Sequence, residues 1–260
     1  MTLRLTGGGL EIAVEPSEGA RITSLRDRFG QEWLVQPTPA WPGGWDEVAP
    51  SIRPVTLPDG SLVPDHGDAL RMPWLVERAS PDALQLSVQL ATVPVRLRRR
   101  ASATPSGIRL DYEASTGSPA LVPFLWAAHP QFSGSGLRID LPPNLPVVEE
   151  HPATGRERVL PENPFDDLAP GSSLKVFTTT AVERVQLVRG AHRLTMSWSA
   201  SALPWLGLFW DAGEFAGEPV IAIEPSTGFG DSLIDATATG RVLSVSRDAP
   251  LRWGLDLSVS

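Results

Sequence analysis

Alternation constrains this chain more than any other feature. In ALQLSVQL (83–90), Leu84, Leu86, Val88 and Leu90 are apolar while Gln85, Ser87 and Gln89 are polar. The final LRWGLDLSVS (251–260) repeats the pattern, with Leu251, Trp253, Leu255, Leu257 and Val259 on one side. VPVRLRRR (93–100), IRLDYEA (108–114), VERVQLV (182–188) and RLTMSWS (193–199) alternate as well. A period of two belongs to a strand with one face on a core and the other in water or against a second sheet. Turn residues separate the runs: TPSG (104–107), RGAH (189–192) and the proline-rich stretches 37–43 and 142–146. No window of twelve or more residues carries a capped helical stripe, and the 26 prolines and 23 glycines are costly inside helices. These patterns predict an all-β chain, a large antiparallel β-sandwich with little helix.

The 260 residues fit one all-β domain, and neither a low-complexity linker nor a repeat divides 1–260. Hydrophobic residues make up 42% and charged residues 20%, which is enough apolar material for a packed core. The net charge of −8 argues against a nucleic-acid surface. There is no cysteine, which removes disulfides, thiolate nucleophiles and Cys-ligated metals together. The first twenty residues hold no apolar run of signal-peptide length, and ALVPFLWAA (120–128) falls short of the roughly 20 residues of a membrane helix. A soluble, cytoplasmic protein with no membrane partner is the expectation. Lys175 is the one lysine among 22 basic residues, which reads as genome composition.

Three segments concentrate polar residues in apolar or Pro-bracketed settings. His129 follows an apolar run in WAAHPQF (126–132) and precedes Pro130. A buried histidine bonded to a backbone carbonyl is its commoner role. Glu224 lies in IAIEPSTGFGD (221–231), where a carboxylate is costly unless it is paired or functional. A tuned base and an arginine partner are the two readings. His66 sits in PDHGDALRMPW (64–74), a loop whose Asp-His-Gly could equally be a turn and nothing more. In PGGWDEVAP (42–50), Trp45, Asp46 and Glu47 set an aromatic face beside two acceptors, as a sugar site does; a surface turn is the plainer account. His151 and His192 read as solvated loop residues. No metal-ligand spacing, nucleophile elbow, phosphate loop or dinucleotide fingerprint occurs, so no metal and no cofactor are expected.

Taken in order, GGWDEVAP, PDHGDALRMPW, WAAHPQF and IAIEPSTGFGD resemble the aldose 1-epimerases, or galactose mutarotase-like proteins. GARITSLRDRFGQEWL (19–34) resembles the family's N-terminal hairpin, and PATGRERVLPENPFDDL (152–168) its Pro-Thr-Gly … Pro-Phe-Asp stretch. The similarity spans most of the chain. It implies a galactose mutarotase-like supersandwich and a cofactor-independent epimerase acting on a hexose or related aldose. It implies His129 as the acid, Glu224 as the base and His66 as a sugar-binding residue, with Arg71 at a basic position found in some members. The family's further sugar-binding Asp has two candidates here, Asp211 and Glu183. Both catalytic groups are expected to titrate near neutral pH after modest tuning.

The resemblance leaves competing activities open. Arg53 and Arg71 keep a hexose-6-phosphate epimerase in view. Trp45, Trp74, Trp126 and Trp210 could form the stacking platform of a non-catalytic carbohydrate-binding protein. A glycosidase would pair Glu224 with Asp46 or Glu47, with carboxyls roughly 5–9.5 Å apart. For the leading reading, His66, His129 and Glu224 should line one concave sheet face, with His129 and Glu224 within roughly 12 Å. At least one of the four tryptophans should face that cleft. The expected partner is a small carbohydrate, bound by a monomer or weak dimer.

Overall fold

The computed structural model describes residues 1–39, 41–152 and 154–260. A ten-stranded and an eight-stranded antiparallel sheet dominate it, joined by two two-stranded ribbons. The alternating runs fold as strands: Ala83–Gln89, Arg96–Thr104, Gly107–Ser115, Arg184–Arg189, His192–Trp198 and Leu251–Val259 all belong to the eight-stranded sheet. Their alternation is physical, since Leu84, Leu86, Val88, Leu255 and Leu257 are buried. RGAH closes a hairpin in which Arg189 pairs His192, with Gly190 at φ 57°. One α-helix, Leu233–Ala238, is described; Ser232 caps it by accepting from the Asp235 amide. At six residues it is too short to show a helical stripe in the sequence. Among the described residues no helix is long and apolar enough to cross a membrane.

The ten-stranded sheet carries the chemistry-bearing segments. Five of its strands matter here: β1 (Trp45–Val48), β2 (Ala127–Ser133), β3 (Ser173–Thr178), β4 (Trp205–Ala212) and β5 (Pro219–Ser226). They lie side by side in the order β1-β2-β5-β4-β3. Because side chains alternate along a strand, one set of positions packs inward and the other turns out. Trp45, Trp126, Ala128, Phe132, Leu174, Val176, Leu206, Leu208, Trp210, Ile221 and Ile223 belong to the main core. The intervening positions, His129, Gln131, Lys175, Phe209, Asp211, Ala222 and Glu224, line a cleft on the opposite face. Register aligns them: Glu224 pairs Gly207 and His129 pairs Asp46.

Candidate active site

The cleft holds about 370 Å³, within the range of small-molecule sites. Its floor comes from β2, β3 and β5. His129 Nε2 lies 3.7 Å from Glu224 Oε1, beyond hydrogen-bonding distance. Neither Glu224 Oε1 nor His129 Nδ1 has a hydrogen-bond partner among the described residues, although both atoms are buried. Gly207 makes room for the Glu224 side chain, because a Cβ there would meet the Phe177 ring at 3.2 Å and Glu224 Cβ at 3.4 Å.

His66 enters from the loop ahead of the sheet. Its backbone is left-handed at φ 58°, followed by Gly67 at φ 71°, where a Cβ would strike Ala49 O at 2.0 Å. A non-glycine residue in this region is uncommon and is held by its surroundings. The His66 amide donates to Ile52 O, and Arg71 Nη2 donates to Asp65 O from outside the cleft. His66 Nδ1 is 2.8 Å from Asp65 Oδ2, and the ring meets His129 edge to face with centroids 5.1 Å apart. The distant segments bearing His66, His129 and Glu224 therefore converge on one cleft.

Lys175 completes the floor. Its Nζ donates to Glu224 Oε2 at 2.6 Å and stands 3.0 Å from Asp231 Oδ1. The chain's lone lysine is therefore a buried site residue, and Glu224 has found a lysine partner in place of the arginine weighed from sequence. Asp231, at the end of the quoted IAIEPSTGFGD segment, also lines the cleft.

Burial sets the protonation of these groups. It raises the Glu224 pKa from its ordinary value, with the Lys175 ammonium opposing and Asp231 adding to the rise. It also pushes His129 well below the ordinary imidazole value, helped by His66 and Lys175. Burial alone would lower Lys175, but the carboxylates of Asp231 and Glu224 outweigh it and hold the ammonium above its usual pKa. Glu224 thus moves up and His129 down, where the sequence reading put both near neutrality.

Several expected binding residues have other roles. Trp45, Trp74, Trp126 and Trp210 are all buried in the core, so the predicted tryptophan platform is corrected to packing. Strand parity is the reason: Trp126 is three positions from His129 and so faces the other way. Glu47 follows Trp45 inward. It accepts from Arg99 Nη1 at 2.6 Å, Tyr112 Oη at 2.9 Å and Trp126 Nε1 at 2.8 Å, and is a core ion-pair hub. Asp46 shares the His129 side but pairs with Arg21 Nε at 2.7 Å and is not part of the cleft lining. Asp211 does line the cleft, yet its oxygens accept from the amides of Gly213, Glu214, Phe215 and Ala216. It anchors a loop and offers no free acceptor. Glu183 lies elsewhere, accepting from the Ala200 amide. Arg71 bonds Asp65 O and is not part of the cleft lining.

The aromatic faces come from residues that no sequence motif singles out. Trp41, Phe209 and Phe215 line the cleft. Trp41 Nε1 donates to Gln131 Oε1 at 2.6 Å, while Phe215 rides on the loop that Asp211 holds. Proximity of Trp41 to the Gly43-Gly44 turn was the available signal. At Gly43, φ 58°, a Cβ would collide with Val35 O at 2.3 Å. Among the described residues no group of His, Asp and Glu is arranged to hold a metal.

No protein-family model matches the chain, and no curated protein matches it by sequence. Solved structures do. A galactose mutarotase-like protein from Lactobacillus casei superposes with TM-score 0.76 at 18% identity, covering 100% of both chains. A proposed aldose 1-epimerase from Escherichia coli gives 0.79 at 15%, covering 100% of this chain and 99% of that one. A Synechocystis protein gives 0.78 at 17%, covering 100% and 96%. The fold is that of the galactose mutarotase-like proteins. The period-two reading and the resemblance both led to this sandwich. In it, the galactose mutarotase-like sheet carries His129 and Glu224 on neighbouring strands, at the floor of the cleft.

Proposed function

We propose that the chain is an aldose 1-epimerase that interconverts the α and β anomers of a free hexose or related aldose. The observation that carries this reading is the His129 Nε2 to Glu224 Oε1 spacing of 3.7 Å, with Oε1 unpartnered. In a pyranose the anomeric O1 and the ring O5 share one carbon. Two proton-transfer groups must therefore stand close together to reach both, and these do. Simple sugar binding requires no such pair.

The steps balance with one acid and one base. Glu224 Oε1 takes the O1 proton while His129 Nε2 gives a proton to O5, and the C1–O5 bond breaks to leave a C1=O1 aldehyde. Rotation about C1–C2 presents the other carbonyl face. O5 then returns its proton to His129 and attacks C1, and Glu224 returns a proton to O1. The raised Glu224 pKa makes the carboxylate a stronger base, and the lowered His129 pKa makes the imidazolium a stronger acid. His66 and Gln131 are placed to bond hydroxyls, and Trp41 or Phe215 to cover an apolar sugar face.

A free sugar suits the cleft better than a phosphosugar. Arg53 is the arginine of the lining, and its Nη2 is taken by Asp235 at 2.8 Å, with Glu150 at 4.0 Å. A glycosidase loses Glu47 as its second carboxyl, because that side chain faces the core. The test is saturation-transfer NMR of anomer exchange across a sugar panel, with and without a 6-phosphate. Exchange above the spontaneous rate with free aldoses supports the proposal. A chain that binds sugars without accelerating exchange is a carbohydrate-binding protein.

A further inference from the structure

Lys175 invites explanation because the chain uses lysine nowhere else. It sits on β3, in SLKVFT, among residues that are all buried, and its own side chain is only 7% exposed. Exposed ion pairs are worth little, and a buried one repays its desolvation only where the geometry is close. Here the charges are buried and Lys175 Nζ bonds Glu224 Oε2 at 2.6 Å. Glu224 is fully buried and could not stay ionised alone. The charged or titratable groups facing it are Lys175 from β3, His129 from β2, His66 from the preceding loop and Asp231 beyond β5. Lys175 is the one of these that is cationic throughout the neutral range and bonded to Glu224.

The bond is also directional. Lys175 occupies Oε2 and leaves Oε1 as the oxygen on the His129 side. Asp231 Oδ1 stands 3.0 Å from the ammonium as a second charge partner, and its own backbone is anchored, since Asp231 O accepts from the Ile52 and Arg53 amides. A nucleophilic role, with the amine adding to the open aldehyde, would need a neutral amine. Two carboxylates within 3.0 Å keep the proton on Nζ.

We propose that Lys175 is the positioning residue for the base: its ammonium holds Glu224 Oε2, keeps the buried carboxylate charged, and presents Oε1 to the substrate. The proposal rests on the epimerase reading of this cleft. Asp231 tunes the clamp in the opposite sense, adding negative charge beside the carboxylate.

Two readouts test it on wild type, Lys175→Met, Lys175→Arg and Asp231→Asn. The first is the ¹³C NMR titration of the Glu224 carboxyl, assigned by its loss in Glu224→Gln. The second is the pH profile of anomer exchange. In Lys175→Met the Glu224 midpoint should rise by roughly one to three pH units, because an opposite charge has gone. The acid limb of kcat should move up with it, and kcat at pH 6 should fall about tenfold or more while KM changes less. Lys175→Arg should restore most of that kcat. Asp231→Asn should move the midpoint down. A Glu224 midpoint unchanged in Lys175→Met, or shifted the same way in both variants, overturns the proposal. If Lys175→Met does not fold, the Asp231→Asn direction and the Lys175→Arg midpoint decide it. Absence of exchange in wild type removes the epimerase reading alone, and the titration still judges the clamp.

Discussion

Glu224 Oε1 and His129 Nε2 face each other across 3.7 Å with no hydrogen bond between them, at the floor of a cleft wide enough for a sugar. Glu224→Gln preserves shape and removes the base, so exchange should slow by about two to four orders of magnitude. Sugar affinity should change far less. His129→Gln should behave alike, and the double variant should lose less than the product of the two, because both groups serve one transition state. Exchange rates from saturation transfer on the three variants check this; an unchanged rate in Glu224→Gln would sink the mechanism.

The pH profile of exchange should be bell-shaped, with its optimum on the acid side of neutrality. Its acid limb reports Glu224, raised from 4.5, and its alkaline limb His129, lowered from 6.5. Activity falls at low pH as the carboxylate takes a proton, and at high pH as the imidazolium loses one. An optimum on the alkaline side of neutrality would contradict this assignment.

His129 should also shape stability. Its folded pKa lies below the unfolded value of 6.5, so the unfolded chain binds more protons as pH falls through that value. The folded form loses stability there, by up to about 1.4 kcal/mol per pH unit until the folded pKa is reached. His129→Gln removes this slope, so its stability relative to wild type should improve from pH 7 to pH 5. Glu224 acts in the opposite sense, since its raised pKa contributes stability below 4.5 that is lost as pH rises. Urea denaturation at both pH values, on His129→Gln and Glu224→Gln separately, resolves the two signs.

Trp126 should prove structural. Trp126→Phe deletes the indole N–H that Glu47 Oε2 accepts and leaves a buried carboxylate oxygen short of a donor. The expected cost is about 1–3 kcal/mol of stability, with kcat/KM of the folded fraction within a few-fold of wild type. A large loss of kcat/KM at unchanged stability would return Trp126 to the site.

The aromatic contact should belong to the cleft rim. Trp41→Ala and Phe215→Ala should each raise KM several-fold with a smaller effect on kcat, since stacking binds ground and transition states alike. If KM is unmoved in both, the sugar is held by polar groups alone.

Sequence by itself determined the sandwich, because a two-residue period is a local property that each strand carries with it. It also marked His66, His129 and Glu224, since histidines and a carboxylate bracketed by proline and apolar residues are visible without neighbours. Strand parity was in the sequence too: Trp126 and His129, three apart, could not share a face. Only the tertiary structure decided who stands beside whom. Lys175 and Glu224 are 49 positions apart, on strands separated by β4, and nothing local says that their side chains meet. Glu47 and Arg99 come from opposite sheets and are 52 apart, yet they form the buried pair that turned an expected sugar acceptor into part of the core. Composition made Lys175 look incidental; strand order, which depends on packing across the whole sandwich, placed it against the base.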